Sequence, residues 1–595
     1  MSVDKQNNAS GALFQKGCQH FQDGQFKEAL VIFERMLEGQ ENHVEALNMA
    51  AAVSWQSGDT GRALELLDLA IQKHPNHPDA YLNLGVILEH HDRKNEAVDA
   101  YLAALEADPK HVLARLNLGN TYASLGKIGL AIEAYDLVLK SDPINVDALC
   151  HKGLILKDQG EYDQAEAALQ NAVQIAPHSE QAWVNLGLVL RARLKPEEAF
   201  KAYEQALKIN PTSLKALNNL AVLHRWQGDL DEAETLLRSI LASHPDAVEV
   251  LNNYGDVLQA QCRIEEARTA FERVLEIAPG HPEGHHNLAV LLLLSGDFKN
   301  GWQQYEWRWL AKDFPSERRN FPQPMWTGEA LNGQGILLYV EQGLGDALQF
   351  VRYAPLVAAR GGKVFIECPR PLKRLFETVQ GVEDVIARGD NLPDFEVQCP
   401  FLSLPSLLSV NADEIPADIP YLSIAKQDTQ TWQDRLSETV GLKVGLVWAG
   451  SPHHTNDRER SIALEKYTPL ADVENCTLFS LQIGDSSKQL QNVDFPIVDL
   501  TQDIGDYADT AALVSELDLI ITVDTSVAHV AGALGKPVWL LLPHAPDWRW
   551  LMDREDSPWY PSMKLYRQPK RRDWESVFLR LHNDLKEVVD ARNAL

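Results

Sequence analysis

Two rhythms of apolar and polar residues divide the chain. From about residue 10 to residue 312, amphipathic helical segments come in pairs separated by short turns, and the pattern returns every 34 residues. Prolines mark the period at Pro75, Pro109, Pro143, Pro177, Pro211, Pro245 and Pro279. Ala29, Ala63, Ala97, Ala131, Ala165, Ala199, Ala233 and Ala267 keep the same register, where the second helix of a pair must pack closely on the first. Gly24, Gly58, Gly126, Gly160, Gly228 and Gly296 fall at the turn between paired helices, a place for positive φ; Asp92, Leu194 and Cys262 replace glycine there. From residue 335 the rhythm changes. Short apolar runs bounded by turn residues, too short for helices, predict buried parallel strands at 335–340, 363–367, 384–386 and 395–398. After a proline-rich crossing at 415–422, a second set is predicted at 443–448, 477–481, 517–523 and 537–541.

The repeat period and its marker residues closely resemble the tetratricopeptide family, over roughly the first half of the chain. A solenoid of such helix pairs has a concave face lined by the first helices. On that helix one position reads Asn83, Asn117, His151, Asn185, Asn219, Asn253 and Asn287. A side-chain amide both donates and accepts, so such a column either grips an extended peptide backbone or bonds the neighbouring repeat. The column is similar to the asparagine ladder of O-linked N-acetylglucosamine transferase, which implies a protein substrate in the groove. The last repeat is crowded by Trp302, Tyr305, Trp307 and Trp309, which predicts that it docks on the following domain.

The two strand sets, alternating with helices, predict two Rossmann-like lobes facing across a cleft. The expected fold class is therefore an all-α solenoid followed by an α/β module. The expected division is a disordered 1–9, the solenoid over 10–312, a proline-punctuated but not flexible linker over 313–334, a first lobe over 335–425, a second over 440–573, and a terminal helix over 574–595 crossing back onto the first lobe.

Bulk composition narrows the partners. The chain has 595 residues, 45% hydrophobic and 23% charged, an ordinary balance, but a formal net charge of -29. That charge argues against a nucleic-acid or anionic-membrane surface, which needs extended basic patches. Any phosphate must be met by a local site. The six cysteines are scattered without metal-ligand spacing, and residues 1–10 lack the cationic and apolar segments of a signal peptide. No apolar run approaches a membrane span, so the expectation is a cytoplasmic protein with reduced thiols.

Candidate chemistry concentrates at three loops. The first, Gly343-Leu344-Gly345-Asp346, follows the strand at 335–340 and precedes a helix predicted at about 347–359. The second, Asp524-Thr525-Ser526, opens a helix carrying His529 one turn in, an arrangement of N–H groups and hydroxyls suited to phosphate. The third follows the strand at 443–448 and carries Arg458 and Arg460, whose forks suit phosphate. Each has a structural alternative: Asp346 with Gln349 forms a capping box, Asp524 or Thr525 caps its helix, and His529 is a satisfied core histidine. Arg352 reads as solvated or salt-bridged, and the tryptophans of 543–561 as either sugar faces or core.

The Gly343–Asp346 loop and the run Val523-Asp524-Thr525-Ser526-Val527-Ala528-His529 resemble the two-lobed (GT-B) glycosyltransferases of the bacterial heptosyltransferase kind. Together with the repeats they are similar to bacterial proteins that join such a module to tetratricopeptides, flagellin glycosyltransferases among them. The resemblance implies an inverting, metal-independent transfer from a nucleotide sugar, CMP- or UDP-linked, with Asp346 as base. It implies Gly343, Gly345, Arg458, Arg460, Asp524, Thr525, Ser526 and His529 at the donor, with no other cofactor. The implied acceptor is a protein Ser or Thr presented by the repeats, flagellin receiving a nonulosonic sugar being one example. The alternatives are a lipid-linked glycan transferase and a non-catalytic scaffold.

Overall fold

The computed structural model describes residues 3–594 apart from 40–42, 313, 315, 317, 412–413, 453 and 455. The chain forms a tetratricopeptide solenoid followed by an α/β region of two parallel sheets, and it divides into two compact units, residues 1–229 and 230–595.

Residues 1–229 are helix pairs from Val3–Gln22 to Leu214–Gln227. The first helix takes in residues 3–9, expected to be disordered; neither proline nor glycine interrupts 3–10, and the helix of the first repeat continues backwards through them. The register alanines of both units, Ala29 through Ala267, are fully buried, as their role in close helix approach requires. A second close approach is absent from the sequence reading. A Cβ built on Gly85, Gly119 or Gly187 falls 2.4, 2.7 and 2.4 Å from the rings of Tyr101, Tyr135 and Tyr203, so glycine on the first helix makes room for an aromatic ring on the second. The turn geometry does not depend on glycine: Asp92 and Leu194 adopt φ of 58° and 57° beside Gly126 at 72° and Gly160 at 78°. Repeat stacking fixes the turn, and the non-glycine residues bear the strain.

Residues 230–595 open with the helices Leu230–Ser243 to Phe298–Tyr305 and continue into the sheets. The first sheet contains β1 (Gly335–Tyr339), β2 (Lys363–Cys368), β3 (Val382–Ala387) and β4 (Val397–Pro400), all parallel in the order β3-β2-β1-β4. The second contains β5 (Leu442–Val447), β6 (Cys476–Ser480), β7 (Val498–Asp499), β8 (Leu519–Val523), β9 (Val538–Leu542) and β10 (Met563–Arg567) in the order β10-β9-β8-β5-β6-β7, again parallel. This is the doubly wound dinucleotide-fold order, with the reversal between β5 and β8; in the first sheet the reversal lies between β1 and β4. β7 is two residues long, below any apolar-run signal, and β10 lies just past the tryptophan-rich stretch; neither was expected.

Two further expectations are corrected. The helix after β1 starts at Leu344, not near 347, and breaks into Leu344–Phe350, a 3-10 turn at Val351–Tyr353, and Ala354–Ala358. Pro355 has no N–H to give the carbonyl of residue 351 and its ring crowds that carbonyl, so the α ladder cannot pass through. The terminal helix Trp574–Asn593 lies on the second lobe, burying Trp574, Phe578, Leu581 and Leu585 with Val444, Tyr467 and Ile521. The apolar stripe of that helix fits the outer face of its own sheet, which would otherwise be exposed. Links between the lobes include Tyr421, whose N–H donates to the Ala533 carbonyl, and Trp559 and Tyr560, buried in a core shared with the first lobe. Within the linker, Trp326 is buried, its backbone N–H donates to the Gln398 carbonyl, and Arg319 pairs with Glu367 at 2.6 Å.

The last repeat docks as its aromatic content predicted. Trp302 meets Phe350 and Trp548 edge-on at 5.8 and 5.2 Å, and Phe298 stacks on Trp559 at 5.8 Å. Fully buried Arg308 donates to Glu306, Glu341 and Ser403 at 2.8, 3.0 and 2.9 Å, and so ties the end of the solenoid to the segment that follows β1.

Candidate functional site

The carboxyl ends of β1, β5 and β8 converge on one cleft of about 1060 Å³, where open α/β sheets bind ligands. The helices Leu344–Phe350 and Ser526–Ala533 face each other in its wall. Gly345 is the point of contact: a Cβ there would sit 3.1 Å from the His529 ring and 3.7 Å from the Ser526 Cα. Its lack of a side chain thus serves helix approach, and it lines the cleft as a consequence. Eight of the nine residues expected at the catalytic and donor site, Gly343, Gly345, Asp346, Arg460, Asp524, Thr525, Ser526 and His529, line this cleft. Arg458 is exposed and is not among the lining residues.

Asp346 is the third residue of its helix, and its Oδ2 accepts the Gly343 N–H at 2.8 Å. The capping box expected at Asp346 and Gln349 does not form: the helix starts one turn earlier, and Asp346 closes only half of such a box because its N-cap, Gly343, has no side chain. The other oxygen of Asp346 accepts from Arg549. Arg549 also donates from Nη1 to Asp547 at 2.7 Å and from Nε to Gln349 at 2.8 Å, with its carbon 4.3 Å from the Trp548 ring centre. Burial opposes the charge of Arg549, but Asp547 and Asp346 outweigh it and its pKa is raised. Sequence reasoning passed over Arg549 as part of an aromatic loop. Its one signal is a lone cation among tryptophans immediately after the second lobe's fifth strand.

On the second lobe, Asp524 ends β8 with a half-buried carboxyl pushed up to about 6, first by burial and then by nearby Asp547, against Arg460 and Arg549. Arg460 donates to the Asp524 backbone carbonyl at 3.0 Å and to Asp457 at 3.3 Å; a side chain at Gly450 would collide with its guanidinium, 2.5 Å away. Thr525 occupies the N-cap of its helix without a side-chain cap bond, and its hydroxyl lies 3.2 Å from that of Thr522. The Ser526 hydroxyl bonds Tyr507 at 2.6 Å. His529 is buried, its Nδ1 2.8 Å from the Tyr560 hydroxyl and its ring stacked 5.6 Å from Trp550. Burial, then Arg549 and Arg352, hold its pKa well below the ordinary 6.5. The core reading of His529 and its place in the cleft wall both hold.

Arg352, expected to be solvated or salt-bridged, is buried and bound to backbone carbonyls instead. It is 3% exposed, donates to the carbonyls of Gln349, Pro416 and Trp559 at 2.8, 3.2 and 2.8 Å, and lies 4.7 Å from the Tyr421 and Tyr560 rings. It clamps the lobes together behind the cleft. Glu341, beside Arg308, is pushed up to about 7 by burial against the pull of that arginine.

The asparagine column divides. In residues 1–229, Asn83 donates to Asn48 of the neighbouring repeat at 2.8 Å, Asn219 to the Lys215 carbonyl at 2.8 Å, Asn185 is buried, and Asn117 is half-buried. In residues 230–595, Asn287 donates to Asn252 at 3.1 Å, and Asn253 is half-buried. The neighbouring-repeat alternative is realised at Asn83 and Asn287. Among the described residues no helix is long and apolar enough to cross a membrane.

A tetratricopeptide solenoid leading into a two-sheet α/β region with a cleft at its strand ends is the class these features define. Family models for the cilia and flagella-associated protein 70 C-terminal domain and for the coatomer epsilon subunit match residues 77–291 and 20–118, within the repeats. Protein FlbA of Caulobacter vibrioides is 26% identical over 342 residues, 52% of this chain and 57% of its own length, so the chain spans little more than half of that relative. Two solved structures are similar: a tetratricopeptide repeat protein from Parabacteroides merdae (20% identity, 42% of this chain and 98% of that one, TM-score 0.38) and PilF of Pseudomonas aeruginosa (24% identity, 35% and 95%, TM-score 0.31).

Proposed function

We propose that the chain is a protein O-glycosyltransferase, moving a sugar from a nucleotide sugar to a Ser or Thr of a protein captured by the repeats. The observation that carries this reading is the convergence of two parallel sheets, at their points of strand-order reversal, on one cleft with a carboxylate from one lobe facing a helix start of the other. A nucleotide sugar is an electrophilic carbon joined to a phosphate leaving group. The acceptor oxygen attacks that carbon from the first-lobe side, its proton passes to Asp346, and the carbon–oxygen bond to phosphate breaks with its electron pair leaving on the nucleotide. Attack opposite the leaving group inverts the anomeric centre. Thr525, Ser526 and the helix N-terminus behind them are the phosphate seat. Flagellin with a nonulosonic sugar, in the cytoplasm, is the first pair to test.

Full-length protein incubated with candidate acceptors and a panel of nucleotide sugars is to add one sugar mass to the acceptor. Asp346→Asn is to slow transfer at least about a hundredfold while leaving acceptor capture intact. If no nucleotide sugar is consumed and none raises the melting temperature, the reading falls. A scaffold that binds a nucleotide sugar without transferring it is the second reading, favoured by the engagement of both Asp346 oxygens. Donor binding with no mass gain on any captured protein would put it first.

A further inference from the structure

The charges lining the cleft pose a problem for any phosphate. Five aspartates, Asp346, Asp485, Asp506, Asp524 and Asp547, share it with two arginines, Arg460 and Arg549. A phosphate group in so acidic a cleft competes with these carboxylates for the guanidinium groups. Arg460 is fixed to the Asp524 backbone carbonyl and to Asp457. Arg549 is fixed to the proposed base itself. Its Nε and Nη1 are anchored on Gln349 and Asp547, while the bond from Nη2 to Asp346 joins the second lobe to the first. One N–H remains on each Nη for a further acceptor.

We infer that Arg549 is the phosphate receptor of the cleft and reaches the phosphate by giving up Asp346, so that a nucleoside diphosphate entering the second lobe frees the carboxylate that takes the acceptor proton. This rests on the proposed transfer for its second half only; the exchange of partners by Arg549 stands on the charges alone. A diphosphate carries more charge than one carboxylate and matches the guanidinium fork, so it wins the exchange by electrostatics and geometry. Gln349 and Asp547 hold the group while Nη2 turns. The consequence is an order: donor first, acceptor second, because until the phosphate arrives the Asp346 oxygen turned to the second lobe is held by Arg549. The same arginine then faces the charge that develops as the carbon–oxygen bond breaks.

The test is a double-mutant cycle on the full-length chain, titrated calorimetrically with inorganic pyrophosphate and, separately, with UDP, CMP, ADP and GDP. Asp346→Asn is to tighten pyrophosphate binding about tenfold and Arg549→Gln to weaken it about tenfold, the scale of a charged hydrogen bond. In the Arg549→Gln background, Asp346→Asn is to change nothing beyond about twofold, since the competition is gone. Asp485→Asn calibrates the effect of merely removing a negative charge, which is the same with or without Arg549. Arg460→Gln is to weaken binding without altering the effect of Asp346→Asn. If Arg549→Gln does not fold, Arg549→Lys replaces it: the charge stays, the fork is lost, and the coupling to Asp346 is to shrink. Equal tightening by Asp346→Asn in both backgrounds, or none in either, overturns the exchange. Nucleotide binding with an additive cycle sinks the exchange and leaves the transferase reading standing. Pyrophosphate obeying the cycle while no nucleotide binds does the reverse, and failure of every anion to bind removes both.

Discussion

Residues 1–229 and residues 230–595 each have their own internal contacts, and these differ in reach. In the first unit, side-chain bonds between helix pairs join residues about one repeat apart: Asn83 to Asn48 at a separation of 35, Ser213 to Glu180 at 33, Lys195 to Glu166 at 29. In the second, Arg308 reaches Ser403 over 95 residues, Asp346 meets Arg549 over 203, and Arg352 meets Trp559 over 207. A solenoid whose repeats touch only their neighbours absorbs damage locally. The second unit has a core that runs from Leu293 and Trp302 through both lobes to Trp559, beside a separate one under the terminal helix, so damage at its repeat end reaches the cleft. The last repeats belong physically to the α/β region, and a fragment starting at the linker would expose that core.

The largest effect expected from this contrast is at Trp302. Trp302→Ala removes a 2%-exposed indole packed on Phe350 and Trp548 and is to cost about 3–5 kcal/mol. Calorimetry is to show the transition of residues 230–595 lowered and that of 1–229 unmoved; a shared shift would break the division. In the other unit, Gly187→Ala pushes a methyl to 2.4 Å from the Tyr203 ring and is to cost about 1–3 kcal/mol, with no loss of ligand-induced stabilisation at the cleft.

Acid sensitivity is to differ in the same way. Folded His529 titrates well below 6.5, whereas the unfolded chain takes up its proton near that value. Its stabilisation is therefore complete above pH 6.5 and is lost as pH falls, by about 1.4 kcal/mol per unit. Asp524 and Glu341, raised to about 6 and 7, have the opposite sign: stability falls as pH rises from their ordinary values towards these. Comparing wild type with His529→Gln between pH 7.5 and 5.5 isolates the histidine; the variant is to lose less of its 230–595 stability, and parallel curves would refute the assignment. The smallest effect is a gain. Leu194→Gly relieves a left-handed leucine at φ 57° that is 72% exposed, and is to raise the stability of residues 1–229 by about 1 kcal/mol in a denaturant titration.

The amino-acid order determined the solenoid almost to the residue, since each repeat restates the same local problem: an alanine where helices touch, a turn after the first helix, a proline before the next pair. It determined most of the strands as well, because a strand covered on both faces must be apolar throughout, and it placed Gly343, Asp346, Asp524 and Thr525 at strand ends. The register of the Asp346 helix, its break before Pro355, the two unforeseen strands and the resting place of the terminal helix came from packing between distant segments. So did the roles of single residues. Gly345 is a glycine because His529, nearly two hundred positions on, needs the space, and Arg352 is held by carbonyls from three separate segments. Arg549 became the centre of the cleft only when the fold brought it to Asp346. Periodicity reports what a residue does for its neighbours in sequence, and a cleft between two lobes also depends on partners hundreds of positions away.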